Sequence, residues 1–152
     1  MKTAEDILKS KGGDIVTVSP EATIQHALKK MISSNIGSIF VKEKDKIIGV
    51  WTERDLMHNV MESEFSPRNA RISDYMTTDL YHASYSDSIF SLLDKFLGKR
   101  LRHLLIQKEG EYIGVLSTGD VMKASLNLKS SELQELNAIV SWEYYENWRW
   151  EK

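Results

Sequence analysis

The sequence contains no cysteine, which removes disulfide scaffolds, thiolate metal sites and cysteine nucleophiles at once. Long apolar runs are missing too: the longest are a few residues, against the roughly 20 that cross a bilayer. The N-terminal Met1-Lys2-Thr3-Ala4-Glu5-Asp6 turns acidic before any apolar stretch forms, so no signal peptide is expected. Neither sign of charge dominates. Twenty Lys+Arg face 22 Asp+Glu, a net charge of −2, which does not describe a dedicated nucleic-acid binder. Catalytic signatures are equally scarce. There is no G-x-x-x-x-G-K-[ST] phosphate loop, no H-E-x-x-H metal helix and no G-x-S-x-G elbow. His26, His58, His82 and His103 fall in unrelated settings, and His26 belongs to the polar side of a helix. A soluble, cytoplasmic protein with no chemistry of its own is expected.

What is present is an internal repeat. The chain has 152 residues, 41% of them apolar, enough for one globular unit or two small copies sharing a core. Displaced by 65 residues, its first half aligns with its second without a gap. Asp14 falls on Asp79, Ser19 on Ser84, Ile24 on Ile89, Ile48-Gly49-Val50 on Ile113-Gly114-Val115, and Asp55 on Asp120. Ile24, Ala27, Leu28, Met31 and Ile32 have the spacing of one helical face, and Ile89, Leu92, Leu93, Phe96 and Leu97 repeat it. Strands are predicted before these helices, over Ile15–Val18 and Leu80–Ala83, with caps or turns at Ser19-Pro20-Glu21 and Ser84–Asp87. Two more follow in each half: Ser38–Lys42 and Lys46–Trp51, then His103–Gln107 and Glu111–Leu116. A second helix starts near Thr52 and near Ser117. Each half is therefore strand, helix, strand, strand, helix. Alone, a half of about 60 residues buries little core, and two together bury a continuous one.

Polar agreement between the copies is concentrated at Gly49-Val50-Trp51-Thr52-Glu53-Arg54-Asp55 and Gly114-Val115-Leu116-Ser117-Thr118-Gly119-Asp120. Both read glycine, apolar, any residue, hydroxyl, two residues, aspartate, at a strand-to-helix junction. A hydroxyl followed three residues later by an acid is a capping box, and an acid there also suits the helix dipole. The same residues fit a ligand. The upstream glycine permits close backbone approach, a helix N-terminus attracts anions, and a carboxylate can accept from both hydroxyls of a ribose. The two roles are compatible.

These residues resemble a known family. Asp14–Ile24, Ile36-Gly37-Ser38, Ile48–Asp55, Ser73-Asp74-Tyr75-Met76-Thr77 and Ile113–Asp120 together look like a tandem pair of CBS domains, the cystathionine β-synthase regulatory module, over roughly residues 4–126. The resemblance implies an α+β fold of two CBS repeats, 1–66 and 67–126, packed as a pseudo-twofold pair and followed by a helical tail, 127–152. It also implies clefts between the repeats for adenosine-containing ligands: AMP, ADP, ATP, NAD(H) or S-adenosylmethionine. Carried onto this sequence, Asp55 with Thr52 and Asp120 with Ser117 would hold ribose and phosphate, and backbone at Val16 and Tyr81 would hold adenine. Members usually sense a ligand for a partner enzyme, channel or transporter, and commonly form disk-like homodimers.

The copies differ at one place. Lys99-Arg100-Leu101-Arg102-His103 aligns with Ser34-Asn35-Ile36-Gly37-Ser38. Family members with phosphorylated ligands often place basic residues just before the second strand, which marks Arg102 and His103 as phosphate contacts, His103 more so when protonated. Lys99 suits a solvated helix C-terminus, and Gly37 and Ser38 would line a tighter pocket. One site is therefore expected to prefer a phosphorylated nucleotide. In the tail, Leu133, Leu136, Val140 and Tyr144 predict an amphipathic helix capped by Ser130 or Ser131, with Trp142, Trp148, Trp150 and Tyr145 beside it. Packing on the chain's own repeats and docking to a partner both fit that segment. The tail is acidic, through Glu132, Glu135, Glu143, Glu146 and Glu151, which argues against a membrane surface. The alternative to ligand sensing is a ligand-free interaction module acting through dimerisation and this tail. Nucleic-acid binding through the basic stretch at Lys99–His103 would carry a steep salt dependence.

Overall fold

A computed structural model describes residues 2–135. Its elements, in order, are α1 (Ala4–Lys11), β1 (Thr17–Val18), α2 (Ile24–Ser34), β2 (Ser38–Glu43), β3 (Lys46–Thr52), α3 (Glu53–Asn59), a 3-10 turn (Ile72–Asp74), β4 (His82–Ser84), α4 (Ile89–Lys99), β5 (His103–Lys108), β6 (Glu111–Ser117) and α5 (Thr118–Glu135). The fold is α+β, with two three-stranded sheets ordered β1-β2-β3 and β4-β5-β6. β1 pairs parallel to β2, and β2 antiparallel to β3. As the central strand, β2 is buried along Ser38–Val41, the continuous burial expected of a strand covered on both faces. Both hairpins close through two residues with positive φ, Lys44-Asp45 and Glu109-Gly110, in the gaps between the strands predicted from sequence.

The first strands are shorter than their apolar runs. Only Thr17 and Val18 pair, with Phe40 and Val41. In that register Val16 and Ile15 lie opposite Ile39 and Ser38, still within β2, yet the ladder starts only at Thr17. β4 starts at His82, leaving Leu80 and Tyr81 outside it. The helix stripes are also narrower than predicted. Ile24, Ala27 and Met31, and likewise Ile89, Leu92 and Phe96, are buried, whereas Ile32 and Leu97 are both 77% exposed. Eight residues beyond the first core position, each has rotated off the core-facing line in the last turn. The N-caps are Thr23 and Ser88, which accept from the backbone N–H of His26 and Ser91, rather than the upstream serine clusters.

Two hydrophobic clusters form, and the chain divides into two compact units. One holds the chain up to Gly12, Ala83–Ile106 and the chain from Val115; the other holds Gly13–His82 and Gln107–Gly114. The sequence boundary at 66/67 is therefore not the boundary of compactness. Ala4 and Ile7 of α1 are buried with Leu92, Phe96 and Leu116 of the later half. Ile72 is buried with Ile24, Ile39 and Trp51 of the earlier half. Main-chain bonds repeat the exchange: Ala4 and Glu5 donate to Asp87 and Tyr85, while Ile72 and Ser73 donate to Ala22 and Pro20. Each copy's leading segment packs on the other copy's strands and helices.

α5 runs unbroken to Glu135, so Ser130 and Ser131 lie inside a helix and do not start one. The remainder of the expected tail helix, with Leu136, Val140, Tyr144, Tyr145 and Trp142, Trp148 and Trp150, lies outside the described residues.

Candidate functional site

Both strand-to-helix junctions fold as capping boxes. Thr52 N donates to Asp55 Oδ2 at 2.9 Å, and Asp55 N donates to Thr52 Oγ1 at 3.2 Å. Ser117 N donates to Asp120 Oδ2 at 2.8 Å, and Asp120 N to Ser117 Oγ at 3.0 Å. The strand delivers the hydroxyl in extended conformation, the helix returns the carboxylate three residues later, and each satisfies a backbone N–H of the other. Hydroxyl and carboxylate thus stand side by side at the start of α3 and of α5. Both aspartates are half-buried.

The residue preceding the second strand docks on the same junction in both copies. Glu53 N donates to Gly37 O at 2.9 Å, and Thr118 N to Arg102 O at 2.9 Å. One unit therefore gathers Gly37, buried Ser38, Thr52 and Asp55. The other gathers Arg102, His103, Ser117 and Asp120. Val16 lies in the unit of Asp55, its carbonyl accepting from Phe40 N at 3.4 Å. Tyr81, 45% exposed, also lies in that unit and not in the unit of Asp120.

One residue at the second junction was missed from sequence. Lys11, the last residue of α1, places Nζ 2.8 Å from Asp120 Oδ2 and 3.2 Å from Val115 O. Periodicity gave no sign of it, because its partner lies 109 positions away. Only a register break hints at its place. Ala4 and Ile72, matched by their main-chain bonds, are 68 apart, whereas Asp14 and Asp79 are 65 apart, so the first copy carries three additional residues ahead of Asp14. In the other unit, the carbonyl equivalent to that of Val115 belongs to Val50. It accepts from the main chain of Thr77 at 2.8 Å.

The electrostatics follow. Burial pushes the Asp120 carboxyl up, but the Lys11 ammonium and the Ser117 N–H and hydroxyl outweigh it and hold the group below the usual carboxylate value of 3.8. Burial lowers the His103 imidazole, the Lys11 charge lowers it further, Asp120 pulls it up and Arg102 pushes it down; the net is below 6.5. His103 is therefore mainly neutral at pH 7 in the unliganded protein. At the first junction the Glu53 carboxylate stands beside Gly37, the residue equivalent to Arg102. A Cβ on Gly37 would lie 3.1 Å from the Glu53 carboxylate.

Among the described residues no helix is long and apolar enough to cross a membrane. Comparison with known proteins places the whole repeat. The CBS domain model matches residues 4–62 and again 72–127. The CBS domain-containing protein CBSX3, mitochondrial, of Arabidopsis thaliana is 28% identical over 93% of this chain and 73% of its own length. The CBS-domain containing protein ATU1752 of Agrobacterium tumefaciens is 30% identical over 82% of this chain and 99% of that one, with a TM-score of 0.75. The fold is shared with a CBS domain protein of Pyrobaculum aerophilum complexed with AMP, 18% identical over 78% of this chain and 89% of that one, TM-score 0.67. It is shared too with the CBS domain pair of protein MJ0100 in complex with 5′-methylthioadenosine and S-adenosyl-L-methionine, 16% identical over 83% and 97%, TM-score 0.69.

Proposed function

The chain belongs to the CBS domain family, and on that premise we propose that it is a regulatory module that binds adenosine-containing nucleotides and conveys their presence to a partner. The doubled arrangement of glycine, hydroxyl and aspartate at a helix start carries the proposal. In each copy a carboxylate suited to a ribose diol lies against a hydroxyl and N–H groups suited to an anion. Thr52 with Asp55 forms one binding set and Ser117 with Asp120 the other. Gly37 and Ser38 flank the first, Arg102 and His103 the second, and backbone at Val16 and Tyr81 receives adenine. Relatives of the same fold complexed with AMP, or with methylthioadenosine and S-adenosylmethionine, support an adenosine ligand.

The module carries out no reaction of its own. Ligand regulates by binding one of two conformations more tightly than the other. A homodimer fits the apolar side chains left outside in equivalent places: Ile32 with Leu97, and Met57 with Met122.

The test is a thermal-shift panel of AMP, ADP, ATP, NAD+, NADH and S-adenosylmethionine on wild type, Asp55→Ala and Asp120→Ala. A ligand at 100 times its Kd stabilises the fold by roughly 2.7 kcal/mol. The expected result is a shift with one ligand class that one folded aspartate variant abolishes. No shift with any of them, on protein stripped of copurified ligand, overturns the proposal and leaves the ligand-free interaction module in its place.

A further inference from the structure

We propose that Lys11 is a specificity-determining residue that makes the Ser117–Asp120 motif select a phosphorylated nucleotide. This rests on that motif being a nucleotide site and adds what chooses among nucleotides there.

The three additional residues of the first copy bring Lys11 to the C-terminal end of α1, and the side chain reaches across to the start of α5. Its ammonium has three N–H groups. Two are used, on Asp120 Oδ2 and on Val115 O, and one remains for an incoming acceptor. Asp120 accepts from Ser117 N and from Lys11 on the same oxygen, Oδ2, so the carboxylate keeps acceptor capacity on Oδ1. Ammonium and carboxylate side by side match a ligand that carries a diol and an anion on one sugar.

Among the described residues no cation pairs with Asp55 at the equivalent junction. The Val50 carbonyl is satisfied by the Thr77 main chain, which brings no charge, and Gly37 stands in the place of Arg102 with the Glu53 carboxylate against it. A phosphate there meets Asp55 and Glu53. A phosphate at the second junction meets Lys11 and Arg102 beside a single aspartate. The two motifs therefore favour ligands of different charge: anionic at Ser117–Asp120, neutral or cationic at Thr52–Asp55.

The experiment is isothermal titration of the full chain with AMP and with adenosine at one fixed salt concentration, on wild type, Lys11→Met, Lys11→Arg and Asp120→Ala. Wild type should prefer AMP to adenosine by on the order of tenfold, as one added charge-assisted contact provides. Lys11→Met should lose that preference through weaker AMP binding with adenosine nearly unchanged. Lys11→Arg should keep it, and Asp120→Ala should remove the AMP heat. Equal losses for AMP and adenosine in Lys11→Met make Lys11 merely structural and overturn the proposal, as does unchanged AMP affinity. AMP heat surviving in Asp120→Ala places AMP at the other motif and overturns it too. Wild type that binds neither probe overturns instead the nucleotide assignment beneath it. Circular dichroism checks each fold, and Lys11→Gln replaces Lys11→Met if the latter fails to fold.

Discussion

The Met76 side chain lies against the α-carbon of Gly49, so close that a Cβ at residue 49 would overlap its sulfur. Gly49 is buried in β3, next to Val50, which exchanges main-chain bonds with Thr77. Glycine is required here for space: the exchanged segment can pair with Val50 only if nothing projects from Gly49. Gly49→Ala should therefore cost about 1–3 kcal/mol through overpacking. Met76→Ala in the same chain should recover part of that loss. A double-mutant cycle by urea denaturation measures it, and additive single effects would refute the contact.

Arg100 and Arg102 are close in sequence and differ in physical role. Arg100 is the C-cap of α4 with φ 52°, a left-handed conformation that disfavours any side chain, as does its equivalent Asn35 at φ 53°. Relief of that strain outweighs the extra freedom glycine brings to the unfolded chain, so Arg100→Gly should stabilise the fold by up to about 1 kcal/mol. AMP affinity should not change, because Arg100 closes a helix while Arg102 docks at the start of α5. A lower melting temperature, or a loss of AMP binding in Arg100→Gly, would show that the side chain contributes more than a cap.

Much of the architecture was legible because local periodicity encodes it. The hairpin β2–β3, with its Lys44-Asp45 turn, and the hydroxyl–aspartate boxes at Thr52–Asp55 and Ser117–Asp120 all depend on residues within a few positions of one another. What stayed hidden is long-range. The two-residue β1 stops short of its own apolar run although β2 continues opposite it, an end that no local pattern marks. The exchange of α1 with the Ile72–Asp74 turn, and the reach of Lys11 to Asp120, depend on tertiary packing that no spacing announces. The exposure of Ile32 and Leu97 was missed because an 8-residue separation still counts as the same face in a pattern although the side chain has left the core.

His103 should report on Lys11 directly. Burial and the Lys11 cation hold its imidazole below 6.5, so the unfolded chain takes up a proton that the folded chain resists until lower pH. The stability this group contributes is complete above pH 6.5 and is lost as pH falls through its folded value. An NMR titration should place the His103 midpoint below that of an ordinary histidine. Lys11→Met should raise it, by removing a cation and leaving Asp120 as an unpaired attractive charge. A wild-type midpoint at or above 6.5 would contradict this arrangement.

The two signature aspartates should differ in stability even without ligand. Asn at either position keeps an oxygen that can accept from the N-cap N–H, so Asp55→Asn and Asp120→Asn both preserve the capping geometry. Only Asp120→Asn also removes a counter-ion, that of Lys11 at 2.8 Å. The Lys11 and Asp120 side chains retain 36% and 24% of their exposure, so solvent screens the pair and its net worth stays within about 1 kcal/mol. Asp120→Asn should therefore be the more destabilising at low ionic strength, by a few tenths to about 1 kcal/mol. Raising salt to about 1 M, where the Debye length is roughly 3 Å, should narrow the difference. The gap should also close in a Lys11→Met background, where neither substitution breaks an ion pair. Urea unfolding of the four single and double variants at two salt concentrations measures all of this. A gap that persists in Lys11→Met would mean that Asp120 stabilises α5 through something other than Lys11.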